Sequence, residues 1–545
     1  MSVHFDIDTD AVQTVTAKMK KTPAPQKTEK TYRQTILYAA VYVALFFVLF
    51  LLFSRLFATI NQNADDASHF LEANSFLHGN IFLKGWFLSP DTFWTIDTPI
   101  DAVFILLSGL TVNAIVYAES AVYSAILVCS FVLMKRGRPL KDAWFPIAAG
   151  MLLLLLPTQE LTHYAGAIAI HIGTIAYFLV ALVIIDKVQI KWLTAIAVFA
   201  LLLLDALGDP FSLYVFVLPV IAVFFLQWLQ NRTVGNTLLF GSSVAIIPVS
   251  LLILHAVKAL GGFYTYPSNL TIVNFNGLGS NIGLTIQGIL LLFGVNIWGQ
   301  PINSPFVAES LLRLPILLAV LYFIYIEVKQ IRQKCKFTQK TDSVQLILLF
   351  AVFFTLAAYI FSSYALDLGT TRFLLPVLFL GLILVGRQDF SAFTLNKKTQ
   401  AAILVVLTAG YLVFFIPRLI APAASPPITP AAVWLEQNGY TSGYGAYWDS
   451  AIITLLTSGK VQVTPVQGNN QAIVTYYWLD QQKAYNSQAF FLIFASANPP
   501  GNGNVDQQNA ITTFGTPDII KNIGKFTILI WNHPITPIIT NLPGN

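Results

Sequence analysis

Long apolar stretches separated by short polar ones set the pattern of this chain, and their length is that of membrane spans. The first runs from Ile36 to about Ile60 with no charge before Arg55, whose guanidinium can reach the headgroups from the span's end. Further runs fall near 117–134, 144–161, 165–185, 192–208, 211–230, 237–257, 312–328, 343–363, 372–387 and 400–418. With the first they make about eleven predicted spans, several at the short end of the roughly 17–25 residues a span needs. Two more stretches, 99–116 and 283–298, are apolar enough to compete. From about 421 the composition turns to Asn, Gln, Gly and Pro, with a helical pattern over Thr429–Gln437 and short apolar runs at Lys460–Val466, Ala489–Ala495 and Lys525–Trp531. That is the pattern of a small α/β unit. The predicted architecture is therefore an all-α polytopic membrane bundle over 36–420 with a soluble domain over 421–545.

Charge placement arbitrates the span count, because short cytoplasmic loops accumulate Lys and Arg. With the N-terminus inside and eleven crossings, the clusters at Lys18, Lys20, Lys21, Lys27, Lys30 and Arg33, at Lys135, Arg136, Arg138 and Lys141, and at Lys329, Arg332, Lys334, Lys336 and Lys340 fall on one side. Promoting either doubtful stretch alone would export a basic loop, so 99–116 and 283–298 are expected to be interfacial or re-entrant. The C-terminal domain is then extracytoplasmic. Residues 1–35, basic and rich in Pro and Ala, read as a disordered cytoplasmic tail able to touch anionic lipid. A cleaved signal is disfavoured, since the first apolar run exceeds the roughly 7–15 residues of a signal core.

Composition agrees: 56% hydrophobic and 10% charged, against about 25% charged in a soluble domain. The two cysteines, Cys129 and Cys335, are too few for a disulfide framework or a zinc cluster. The sequence shows no P-loop, no 20–50-residue repeat and no basic–aromatic run, so ATP-driven and nucleic-acid functions lose their usual support.

The chemically informative segment is the loop 61–100, exported in this topology. Asp65 and Asp66 open a predicted surface helix on which Phe70, Ala73, Phe76 and Leu77 share a face that would lie on the bilayer, with Gly79 as its stop. An Asp pair at such a position has two readings. It caps the helix, favoured by unpaired N–H groups and the dipole, or it presents a carboxylate to an amphiphilic ligand at the mouth of the bundle.

The order Asp65-Asp66-x-x-x-Phe70-x-x-Ala73-x-x-Phe76-Leu77-x-Gly79 after a first span resembles the GT-C superfamily of membrane glycosyltransferases, among them protein mannosyltransferases and lipid A aminoarabinose transferases. Thr95-Ile96-Asp97-Thr98-Pro99 resembles its second loop element, and Thr371-Arg372-Phe373-Leu374-Leu375-Pro376 the Arg-Tyr-x-x-Pro start of a late span. The sequences around Tyr444-Gly445-Ala446-Tyr447-Trp448 and Gly459–Pro465 are similar to the terminal domain of bacterial members. The resemblance implies transfer of a sugar from a polyprenyl-phosphate donor to a glycan, lipid or protein acceptor on the exported side of a plasma or inner membrane, with inversion. It implies Asp65 as the general base, with Asp66 helping to bind a metal or the acceptor. Arg372 is the leading donor-phosphate ligand, with snorkelling as its other reading, and Lys84 is a second. Where aminoarabinose transferases carry an acidic-Lys-Pro element, this chain has Asp97-Thr98-Pro99, so phosphate binding must differ in detail.

Glu160 and His163, at i and i+3 in a predicted exported turn, are further candidates for a metal or the acceptor. A divalent ion, if used, would draw on Asp66, Asp97, Glu160 and His163. His171 reads as an intramembrane polar ring bonded to a neighbouring helix or as a functional group, and Asp205 and Asp209 as caps or ligands. Tyr444, Tyr447, Trp448, Tyr476, Tyr477 and Trp478 suit sugar stacking, but equally a core or an interface. A secondary transporter or flippase would need polar groups near the midplane, whereas here they gather at one face. A lipid-linked oligosaccharide polymerase or ligase shares that one-sidedness, and a non-catalytic assembly subunit would not need the Asp pair.

Overall fold

The computed structural model describes residues 26–166, 171–267, 270–333, 342–388, 396–469, 472–497 and 503–540. Of the tail expected to be disordered over 1–35, residues 1–25 lie outside them, while from Gln26 the chain is helical and runs unbroken into the first span as Gln26–Phe57; the basic loop with Lys334, Cys335, Lys336 and Lys340 also lies outside them. Among the described residues, ten helices are long and apolar enough to cross a membrane. Leu140–Leu155 and Gln159–Ala165, bent by 75° at their junction, would make an eleventh if taken as one broken span. The break follows Leu155, where Pro157 cannot continue the helix and Thr158 caps the next one by accepting from the Leu161 N–H at 2.9 Å.

The two doubtful stretches take different forms. The stretch near 283–298, expected to be interfacial or re-entrant, largely coincides with the second half of the helix Phe275–Leu292, whose 18 residues have the length and hydropathy of a span. Its polar start, with Asn274, Asn276 and Ser280, had hidden the first half of the helix. The other doubtful stretch forms Asp97–Ser108, which at 1.5 Å per residue is about 18 Å long and too short to cross. Its outward face carries Val103, Leu106 and Leu107, all more than half exposed.

The C-terminal domain is a six-stranded mixed sheet in the order Ala472–Thr475, Gln462–Asn469, Ser442–Ala446, Ala489–Ala495, Phe526–Ile535, Ile519–Ile523. Its three inner strands Gln462–Asn469, Ser442–Ala446 and Ala489–Ala495 run parallel, with antiparallel neighbours outside. Strand alternation sends Phe491, Ile493, Ile528 and Ile530 to one core and Leu492, Phe494, Leu529 and Trp531 to the other.

The first of those cores decides where the site lies. It contains Ala67, Phe70 and Ala73 of the helix Ala64–Leu77, Ala102 and Ile105 of Asp97–Ser108, and Ile452, Ile453 and Leu455 of Tyr447–Leu456. The face expected to rest on the bilayer is thus buried against protein, because the C-terminal domain offers an apolar partner for it; only Leu77 of that face stays exposed, at 38%. A small second sheet joins the same parts. Trp86–Leu88 pairs in parallel with Tyr264–Thr265 and antiparallel with Asp480–Gln481, so the loop after the first span is tied to the C-terminal domain by backbone as well as by packing.

Candidate active site

The helix Ala64–Leu77 opens with a capping box. The Asn63 side chain accepts from the Asp65 and Asp66 N–H groups at 2.8 and 3.2 Å, and the Asp66 carboxylate accepts from the Asn63 N–H at 2.9 Å. The adjacent acids therefore stand in different surroundings. Asp66, 2% exposed, gives one oxygen to the cap, while Asp65 is half-buried and takes a hydrogen bond from the Tyr447 hydroxyl of the C-terminal domain. Burial, reinforced by the Asp65 charge, pushes the Tyr447 phenol well above its ordinary range, so it stays a donor to that carboxylate.

One turn on, His69 stands on the same face as Asp65, and Glu72 three residues later. His69 Nδ1 lies 3.3 Å from Glu72 Oε2, and both side chains are buried. Burial opposes charge on the ring, but Glu72, Asp65 and Asp101 together hold His69 up to about 9. Burial raises Glu72 in turn, against the pull of His69. On the facing helix, burial pushes Asp97 up to about 7, with Asp209 adding to the rise and His69 opposing it, and lifts Asp101 well above a free carboxylate, with Asp97 adding to it. Asp97 needs a glycine opposite: a Cβ on Gly173 would lie 2.1 Å from Asp97 Oδ1.

A third group completes the site. Asp91, His171 and Asp209 present ligand atoms within 4.8 Å of one another. Asp209 Oδ2 accepts from His171 Nδ1 at 2.6 Å and from the Thr174 hydroxyl at 2.7 Å, and its Oδ1 accepts from the Phe211 N–H at 3.0 Å. His171 occupies the left-handed region at φ 63° at the start of Ile172–Lys187, a conformation rare for a residue with a side chain. Burial and Asp209 push Asp91 up to about 6, opposed by His171 and Arg372. Arg372 is exposed, lies over the Phe373 ring at 5.4 Å, and hydrogen-bonds to no side chain among the described residues.

Each of these groups lies within electrostatic reach of the next: Asp65 of His69, His69 of Asp97, Asp97 of His171 and Asp209, Asp209 of Asp91, and Asp91 of Arg372. Asp65, Asp97 and Arg372, read separately in the sequence, thus belong to one strip of ionisable side chains. Glu160 and Arg372 both act on Tyr164, which puts Glu160 at its edge. His163 is exposed on the same short helix. Asp66, Asp97, Glu160 and His163 do not form a common ligand cluster among the described residues, since Asp66 is held in the cap and Asp97 packs against Gly173. Lys84 lies elsewhere. It lines a cavity of about 520 Å³ with Asn74, His78, Gln462, Thr464 and Lys483, which shares no residue with the surroundings of Arg372.

The sequence gives no role to Asp91, His69 or Glu72, and it offers Tyr447 for stacking or a core, not as a partner of Asp65. The i, i+4 and i, i+3 spacing of Asp65, His69 and Glu72 carried a signal for two of them. Of the aromatics proposed for sugar stacking, Tyr444, Tyr447 and Tyr477 are buried, while Trp448 is 39% exposed.

The fold and the strip together define a membrane-embedded helical bundle with an ionisable site at its junction with an α/β domain. No protein-family model matches the chain, and neither does any curated protein. Its fold does have a solved counterpart. ArnT from Cupriavidus metallidurans, determined bound to undecaprenyl phosphate, aligns over 90% of this chain and 97% of its own, with a TM-score of 0.52 and 10% sequence identity. The chain therefore has an ArnT-like fold.

Proposed function

We propose that this protein is a membrane glycosyltransferase that moves a sugar from a polyprenyl-phosphate donor to an acceptor hydroxyl, with inversion at the anomeric carbon. The observation that carries the reading is the strip itself: in a fold shared with a protein solved around undecaprenyl phosphate, it joins a half-buried carboxylate to a free guanidinium. Asp65 is the general base. Its carboxylate takes the acceptor proton as the hydroxyl oxygen attacks the anomeric carbon and the bond to the donor phosphate breaks, a role worth roughly 100- to 10,000-fold. The Tyr447 hydroxyl fixes its orientation from across the domain junction. Arg372 offers paired N–H donors to the departing phosphate, whose charge it offsets. Lys84 has no part in this reading, because its cavity is separate. In the proposed topology the N-terminus is cytoplasmic and the site faces the other side of the membrane, as the basic loops require.

The test is transfer by membranes carrying the wild-type protein, supplied with a panel of radiolabelled polyprenyl-phosphate sugars. Label appearing in an acceptor from at least one donor supports the proposal. No transfer from any donor would point to a transporter or to an oligosaccharide polymerase.

A further inference from the structure

The cavity that holds Lys84 lies where the end of Ala64–Leu77 meets Gln462–Asn469 and Asp480–Gln481 of the C-terminal domain. Its volume of about 520 Å³ falls within the roughly 300–1,000 Å³ of small-molecule sites. Nine residues of helix separate Asp65 from Asn74 in the cavity wall, about 14 Å at 1.5 Å per residue, so a ligand here sits apart from the proposed base. The wall carries uncommitted hydrogen-bonding groups. Ser75 Oγ lies 3.1 Å from N–H donors of Asn80, Trp86 and Gln481. A hydroxyl oxygen has two lone pairs, so three donors exceed its capacity, and the Gln481 amide keeps an N–H for a ligand. The side chains of Asn74, Gln462 and Thr464 make no hydrogen bond among the described residues. His78 Nδ1 lies 2.7 Å from the Asn74 carbonyl, and as the donor of that bond it leaves Nε2 as an acceptor. Asp480 Oδ2 is buried with no partner among the described residues. Lys84 and Lys483 complete the wall, both exposed and neither in an ion pair among the described residues.

We propose that this cavity binds a saccharide carrying an anionic group, a carboxylate or a phosphate. Each sugar hydroxyl both donates and accepts, and so uses amides, an imidazole nitrogen and a carboxyl side by side. The two ammonium groups supply charge-assisted bonds for the anionic group. Burial pushes Asp480 up to about 7, so below that pH its carboxyl is neutral and adds no repulsion. A nucleotide would need a ring face on which to stack its base, and the one Trp, Tyr or Phe in the wall, Trp86, is 3% exposed. The ligand would touch both the loop after the first span and the C-terminal domain, which the pairing of Trp86–Leu88 with Asp480–Gln481 holds together. The inference concerns binding alone and holds whether or not sugar transfer is found.

The experiment is saturation-transfer difference NMR on the purified full-length protein at pH 6, in a detergent without a sugar headgroup. The probes are glucuronic and galacturonic acids and the 6-phosphates of glucose, galactose and mannose, each beside its neutral parent hexose, with inorganic phosphate as competitor. At least one charged sugar is expected to bind, its neutral parent roughly 10-fold more weakly or worse, and inorganic phosphate at the same concentration should not displace it. Lys84→Gln and Lys483→Gln, both at exposed positions, should each weaken the charged sugar by roughly 10-fold or more, while Lys525→Gln, outside the cavity, should bind as the wild type does. The inference is wrong if no charged sugar binds, if the neutral parent binds as tightly, if phosphate alone displaces the sugar, or if neither cavity lysine variant weakens binding.

Discussion

Arg372 and Gly173 are each constrained by the chemistry of one side chain. A guanidinium presents two parallel donors to a phosphate, and a lysine at the same place presents a point charge. Arg372→Ala is therefore expected to raise the KM for the polyprenyl-phosphate donor by roughly 10- to 100-fold, from the about 1.5–3 kcal/mol of a charged hydrogen bond, with Arg372→Lys recovering only part. Donor saturation curves for the three proteins check this, and an unchanged KM in the alanine variant would leave Arg372 as a snorkelling residue. Gly173 is constrained differently. Because an added Cβ would meet Asp97 Oδ1 at 2.1 Å, Gly173→Ala must displace Asp97 or its helix, and it should cost about 1–3 kcal/mol of stability as an overpacking change. Thermal unfolding of that variant indistinguishable from wild type would show that the contact relaxes freely. Of these two residues the sequence disclosed one. Arg372 stood in a motif at the start of an apolar run, whereas the need for glycine at 173 arises only when Asp97, 76 residues away, packs against it.

At the level of elements, the capping box engages Asn63 and one oxygen of Asp66, and in the proposed reaction Asp65 is the acid that does the chemistry. Asn63→Ala removes the acceptor for two N–H groups and should cost about 0.5–2 kcal/mol, read as a lower thermal midpoint. It should also slow transfer, because the cap fixes the turn that carries Asp65. A variant with lower stability and undiminished transfer would separate the cap from the site. Spans were legible because hydropathy over some 20 residues overrides local detail, and the helix Thr429–Gln437 and the strand Ala489–Ala495 keep the limits the pattern gave them. The surface helix was legible as a helix but not in its packing. Periodicity identified the apolar face of Phe70 and Ala73 correctly, yet a bilayer and an apolar protein surface impose the same pattern on it, so the partner could not be read.

At the scale of the whole molecule, the decisive contacts cross long stretches of chain. Asp65 and Tyr447 are 382 residues apart, and no local signal could pair them. The junction they span has its own titration. Burial pushes Asp480 up to about 7 from the 3.8 of a free carboxyl, and its Oδ2 has no partner among the described residues. Between about pH 4 and 7 the folded protein keeps a proton there that the unfolded chain has lost. This stabilising contribution is full below about pH 4 and disappears as the pH rises through 7. Asp480→Asn cannot ionise, so its thermal midpoint should gain on the wild type between pH 5 and pH 8; a gap that stays constant would mean that Asp480 titrates like an exposed acid.

The central claim is that Asp65, held by Tyr447 at the junction of bundle and domain, is the base in sugar transfer from a polyprenyl-phosphate donor. The most direct measurement is the rate of transfer by Asp65→Asn against wild type at matched expression, with donor binding measured alongside. The account predicts a loss of roughly 100- to 10,000-fold in rate with donor still bound. Transfer at the wild-type rate would contradict it.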